Sequence, residues 1–118
     1  VMATIIYNKT TDKLIHLRLK FADSYFQRLK GLMFKKNINY ALVIKTKYSS
    51  AIHTSFMRFP IDVYFIDETK KIFEIATLGP WSKYEPSKNA RYILEVKADS
   101  LKDKLKKGDE IEFVCENS

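Results

Sequence analysis

From Lys13 to Phe21 apolar and polar side chains alternate without a break. Ile15, Leu17, Leu19 and Phe21 fall on one side, His16, Arg18 and Lys20 on the other. A period of two belongs to an extended strand with one buried face. Strand-prone segments recur at 3–7, 40–46, 52–59, 61–66, 71–77, 90–98 and 109–115. In 52–59 the alternation puts His53, Ser55, Met57 and Phe59 on one face and Ile52, Thr54, Phe56 and Arg58 on the other. Pro60 then breaks the strand, because it has no N–H for the ladder. Asn8–Asp12 and Asp67–Lys70 carry turn chemistry, and 78–83 and 86–89 read as loops. Two short helices are predicted. One follows Ser24, whose pairing with Gln27 matches a capping box, and ends at Gly31. The other, 101–107, opens after Ser100 and ends at Gly108. Many strands without regular βαβ alternation imply a mainly β fold: an antiparallel sandwich or barrel-like domain of about seven strands with two short helices.

At 118 residues the chain has room for one domain with one core, taken as 1–118. Its longest purely apolar run, Tyr40–Ile44, is far short of the ~18 residues a membrane helix needs. The first twenty residues lack a basic start followed by an apolar stretch, so no export signal is expected, and a cytoplasmic location is the expectation. A single cysteine, Cys115, excludes an internal disulfide and a multi-thiolate metal site. The formal charge of +7 is uneven: residues 1–59 hold eleven Lys/Arg and two Asp/Glu, residues 60–118 ten and twelve. Seventeen of the 21 cations are lysines, most alternating singly with apolar residues. That is a solvated surface more than a nucleic-acid footprint, which favours clustered arginine and interleaved aromatics. Nucleic acid is therefore possible as a partner but not favoured, a small ligand is possible, and no membrane partner is expected.

The chain has no glycine-rich phosphate loop, no Gly-x-Ser-x-Gly elbow and no His-Glu-x-x-His. Cys115 reads as a small core residue. His53 and Met57 on one extended strand would stand roughly 13 Å apart, too far to share an ion without a bend. A soft-metal set of His53, Met57, Met33 and Cys115 is therefore disfavoured, and no metal or cofactor is expected. His53 is either a hydrogen-bonded structural histidine or a ligand or acid/base group. Asp62, inside an apolar strand, needs a partner, and Arg28 and Arg58 are candidates. Trp81 after Pro80 is either a lid over the sandwich edge or an exposed binding aromatic. Glu95, pointing opposite to Leu94, reads as part of a solvated outer face. No complete catalytic set is assembled; the candidate binding cluster is Arg28, His53, Asp62 and Trp81.

Two blocks carry a resemblance. Arg28-Leu29-Lys30-Gly31-Leu32-Met33-Phe34 resembles the Arg-x-x-Gly-Leu-Met-x signature of the domain of unknown function 192 family. The run from His53 to Asp67 is similar to that family's central motif in its archaeal form. Pro80-Trp81, Tyr92–Glu95 and Gly108-Asp109 follow in the family's order, so the resemblance spans about 13–114. It implies a compact β-rich protein of unassigned activity. The positions matching the motifs are Arg28, Gly31, Met33, His53, Thr54, Met57, Pro60, Asp62, Trp81, Glu95, Gly108 and Asp109, and they mark folding as readily as function. Arg58-Phe59 after Met57 departs from the bacterial pattern, which has an aromatic residue and Asn-Thr around that methionine. Three expectations stand. The first is a non-catalytic ligand- or partner-binding domain. The second is a small hydrolase or lyase using His53 and Asp62 as an acid/base pair. The third is weak nucleic-acid binding by the basic N-terminal half.

Overall fold

The structure, a computed structural model, describes residues 3–22, 35–46 and 50–115. Ten strands follow one another: β1 (Ala3–Asn8), β2 (Lys13–His16), β3 (Leu19–Ala22), β4 (Ala41–Lys45), β5 (Ile52–His53), β6 (Ile61–Ile66), β7 (Ile72–Leu78), β8 (Lys83–Tyr84), β9 (Tyr92–Lys97) and β10 (Ile111–Cys115). They form a five-stranded sheet in the order β3-β4-β9-β6-β7, a three-stranded sheet β10-β1-β2 and the small pair β5-β8. All pairings are antiparallel except β3 with β4, which run parallel in the register Leu19↔Ala41. The fold is mainly β and open, not a closed barrel. No helix among the described residues is long and apolar enough to cross a membrane.

The five-stranded sheet is covered on both faces. In β6 every residue is buried, and the alternation splits it cleanly. Ile61, Val63 and Phe65 join Leu42, Ile44 and Ile93 in one cluster, which Ile52, Met57 and Phe59 cover, with Tyr84 stacked on Phe65 at 5.6 Å. Tyr64 and Ile66 join Val43, Leu94 and Val96 in the other, covered by Ile6, Ile15, Ile111, Leu101 and Leu105. Two-sided burial explains why β6 reads as a near-continuous apolar run. Tyr64 shows the result: burial first, and the carboxylates of Asp62 and Asp99 second, push its hydroxyl up to about 12.

Several expectations need correction. The predicted strand 13–21 divides at Leu17-Arg18, where the chain leaves one sheet for the other. The predicted strand 52–59 survives only as β5, since 54–57 closes a turn through the Met57 N–H and the Thr54 carbonyl (3.1 Å). The helix at 101–107 is absent. Asp99 and Asp103 adopt φ of 68° and 64°, outside the right-handed helical region. The segment instead makes successive turns, closed by Ser100 N–H to Lys97 O and Lys104 N–H to Leu101 O. Its helix-like spacing reflects the anchoring of Leu101 and Leu105 in the core, at 3% and 4% exposure. The helix expected after Ser24 lies outside the described residues.

Candidate functional site

β5 pairs with β8 in the register Ile52↔Tyr84 and His53↔Lys83. The next residue, Thr54, has no solvent exposure. Its N–H donates to the Ser82 carbonyl (2.8 Å), and its carbonyl accepts from the N–H groups of both Met57 (3.1 Å) and Trp81 (3.0 Å). Its hydroxyl donates to the Gly79 carbonyl and accepts from the Ser82 N–H, both at 2.7 Å. One buried threonine therefore ties the 54–57 turn to the 79–82 loop.

Each of the two tied segments displays one aromatic ring. Phe56 is 44% exposed and Trp81 64% exposed, with ring centroids 4.6 Å apart at 60°. Both sit in left-handed backbone, at φ 64° and 59°. That region is a genuine outlier for bulky side chains. Arg58 and Lys83 are exposed on the same two segments, and half-buried His53 lies across from Lys83. The result is an exposed edge-to-face aromatic pair, with a basic residue two positions along the chain from each ring. Such a surface can stack a flat ring.

The expected cluster of Arg28, His53, Asp62 and Trp81 is met only in part. Arg28 lies outside the described residues, as do Gly31 and Met33. His53 precedes Thr54, whose carbonyl accepts from the Trp81 N–H, so the two are linked through the backbone. Asp62 does not join them. It pairs across the sheet with Val96 and Thr77 on the face of Tyr64, whereas β5 covers the opposite face. Its oxygens accept from the Thr77 hydroxyl (2.7 Å) and the Asp99 N–H (2.8 Å), so it caps the turn after β9. These partners replace the expected arginine Arg58.

Glu95 corrects the solvated-face expectation, for it has no exposure at all. It alternates with Leu94 as read, but β9 is central and both its faces are covered, so neither side meets water. Other motif positions serve the scaffold. The Asp109 carboxylate accepts from the Asn8 side-chain amide (2.8 Å) and the Lys106 N–H (2.9 Å). Gly108 takes φ 94°, and its N–H donates to the Ile72 carbonyl (2.7 Å). Met57 is core at 3% exposure, and the Pro60 carbonyl accepts from the Ala98 N–H (3.1 Å). Among the described residues no group of three or more His, Cys, Asp or Glu could hold a metal ion. Sequence reasoning missed Phe56. The available signal was Pro60, which leaves the residues before it without a ladder to complete and so frees them to turn.

Comparison with known proteins follows this geometry. The profile of the DUF192 family, described as "Uncharacterized ACR", matches residues 6–113. A UPF0127 protein of Thermococcus sibiricus is 37% identical over 119 residues, covering 95% of this chain and 76% of its own length. One from Pyrococcus horikoshii is 37% identical over 115 residues, covering 92% of this chain and 98% of its own length. In the relative from Thermococcus kodakarensis, 38% identical, the match spans 77% of this chain and 60% of that protein. Two crystal structures share the fold. One, from Sinorhizobium meliloti 1021, is named as a proposed transcription regulator (TM-score 0.79, 19% identity, 95% of this chain and 92% of that one). The other, a Novosphingobium aromaticivorans protein of unknown function, has TM-score 0.79 and 17% identity, over 92% of this chain and 84% of that one.

Proposed function

The chain belongs to the DUF192 family of uncharacterised proteins, and we propose that it is a non-catalytic binding domain that holds a small ligand against Phe56 and Trp81. The observation that carries this reading is the display of both rings to solvent on left-handed backbone. Two bulky residues in that region cost roughly 1–3 kcal/mol each. Their mutual edge contact returns only about 0.5–1.5 kcal/mol. The ring contact alone does not offset that cost; the Thr54 hydrogen bonds hold both turns, and a surface kept ready for a ligand explains why large rings occupy them. Exposed Arg58 and Lys83, each two residues from a ring along the chain, favour a planar ligand that carries an anionic group. The acid/base alternative is weaker, because Asp62 is engaged by Thr77 and Asp99 on the far face of the sheet.

Trp81 is the sole tryptophan and reports directly on the site. Titrating the full chain with nucleoside monophosphates, and with the neutral nucleosides as controls, is expected to change its emission saturably. The anionic series should bind tighter, and Phe56→Ala should abolish the change. Flat emission across both series, or a response indifferent to Phe56→Ala, would refute the proposal.

A further inference from the structure

Away from the aromatic pair, β2 is the outer strand of its sheet. Its inner edge pairs with β1 from Asn8↔Lys13 to Ile5↔His16, and among the described residues no strand pairs with its outer edge. An unpaired edge leaves backbone N–H and C=O groups ready for another extended chain. Proteins commonly blunt such edges, yet here a large apolar side chain, Leu14, stands 57% exposed on it. Beside the strand runs a groove of about 530 Å³, walled by Lys13, Leu14 and His16 on one side and Asp103 and Lys104 on the other. A second cavity of about 240 Å³ shares Ile15, His16 and Lys104 with it and extends past Tyr40 to Lys97.

The charge around these two neighbouring cavities is one-sided. Lys13 comes from β2, Lys97 from the end of β9 and Lys104 from the turns that follow; Asp103 is the one carboxylate among the lining residues. A single lysine on an edge strand is ordinary protection against pairing. Three lysines delivered from separate elements around an exposed leucine make a shaped cationic trough. We propose that this groove receives an acidic, extended segment of another protein, which adds to the sheet as a strand beside β2. Its backbone bonds to the outer edge of Lys13–His16, an apolar side chain lies on Leu14, and its carboxylates meet Lys13, Lys97 and Lys104. A second copy of this chain fits poorly. Antiparallel self-pairing of β2 would set Lys13 against His16 and bring both lysine sets together, and like charges placed opposite one another are unfavourable.

The test is an amide NMR titration of the full chain with a blocked ten-residue peptide of alternating glutamate and valine, and with its lysine–valine counterpart. The acidic peptide is expected to shift Lys13–His16 and the 97–104 segment saturably and to slow amide exchange in β2; the lysine peptide should do neither. Charge reversal of two exposed residues, Lys13→Glu with Lys104→Glu, should weaken binding about tenfold while the remaining spectrum stays folded. Leu14→Ser should weaken it without altering charge. The proposal is overturned by shifts scattered over surface lysines elsewhere, by equal response to both peptides, or by no response. Concentration-dependent self-association through Lys13–His16 would also overturn it.

Discussion

At the scale of single residues, the polar groups of this protein divide into those that shape turns and those that face solvent at the site. Thr54 is the clearest of the first kind, with every polar atom bonded to the 54–57 turn or the 79–82 loop. Thr54→Ala removes the partner of the half-buried Ser82 N–H and of the Gly79 carbonyl, and about 1 kcal/mol of stability should be lost in urea denaturation. Thr54→Ser keeps the hydroxyl and forfeits one buried methyl, worth about 1 kcal/mol. Phe56 makes the opposite case. Phe56→Gly relieves roughly 1–2 kcal/mol of left-handed strain and forfeits a ring contact of about 0.5–1.5 kcal/mol. The midpoint of unfolding should therefore move little while any ligand response at Trp81 disappears. A loss of several kcal/mol would mean that the ring serves the fold. Trp81 and Thr54 were legible as positions to watch, because each stood in a recognisable motif. Phe56 lies within the same central motif, yet apart from Pro60 nothing marks the left-handed conformation its neighbours impose.

At the scale of elements, period-two alternation described strands well and their surroundings poorly. Applied to 61–66 it separates Ile61, Val63 and Phe65 from Asp62, Tyr64 and Ile66, as the two apolar clusters do, and the Asp67–Lys70 turn formed as expected, with Lys70 at φ 66° and the Asp67 carboxylate accepting from the Thr69 and Lys71 N–H groups. It misjudged Glu95, because alternation says which side a residue faces and not whether that side meets water. It also extended β5 through 54–59, although Thr54-Ser55 and Phe56-Met57 break the alternation there and the chain turns. Between β7 and the loop after β8, Glu74 accepts from the Tyr84 hydroxyl and from the Ser87 N–H and hydroxyl. The Tyr84 bond first, then those of Ser87, hold the Glu74 carboxyl below its ordinary 4.5. A carboxyl depressed by folding contributes stability above its unfolded value and loses that contribution as pH falls through its folded value. Acid should thus weaken this clamp below about pH 4.5. Ser87→Ala should raise the Glu74 titration midpoint, measured by carboxyl NMR, and narrow the acid-dependent part of the stability curve; an unmoved midpoint would exclude the clamp.

At the scale of the whole molecule, three layers share one central sheet, so the two apolar clusters are halves of a single cooperative structure. Leu94→Ala on one face and Phe65→Ala on the other should each cost about 2–5 kcal/mol and lower the same transition, without separating it into two. Native-state hydrogen exchange should be slowest in β6 and β9, which lie between paired neighbours, and fastest in the edge strand β2. The three-stranded sheet adds a consequence in time. β1 lies between β2 and β10, with Ala3 opposite Cys115. That partner is more than a hundred residues away, and distant pairings form slowly because the intervening chain must first be gathered in. On a ribosome, where synthesis adds only about 5–20 residues each second, β1 and β2 therefore wait for several seconds with an apolar face and an open edge before β10 emerges. β1 and β2, made long before β10, are thus among the last elements to be completed, and Lys9 and Lys13 put positive charge on that waiting hairpin.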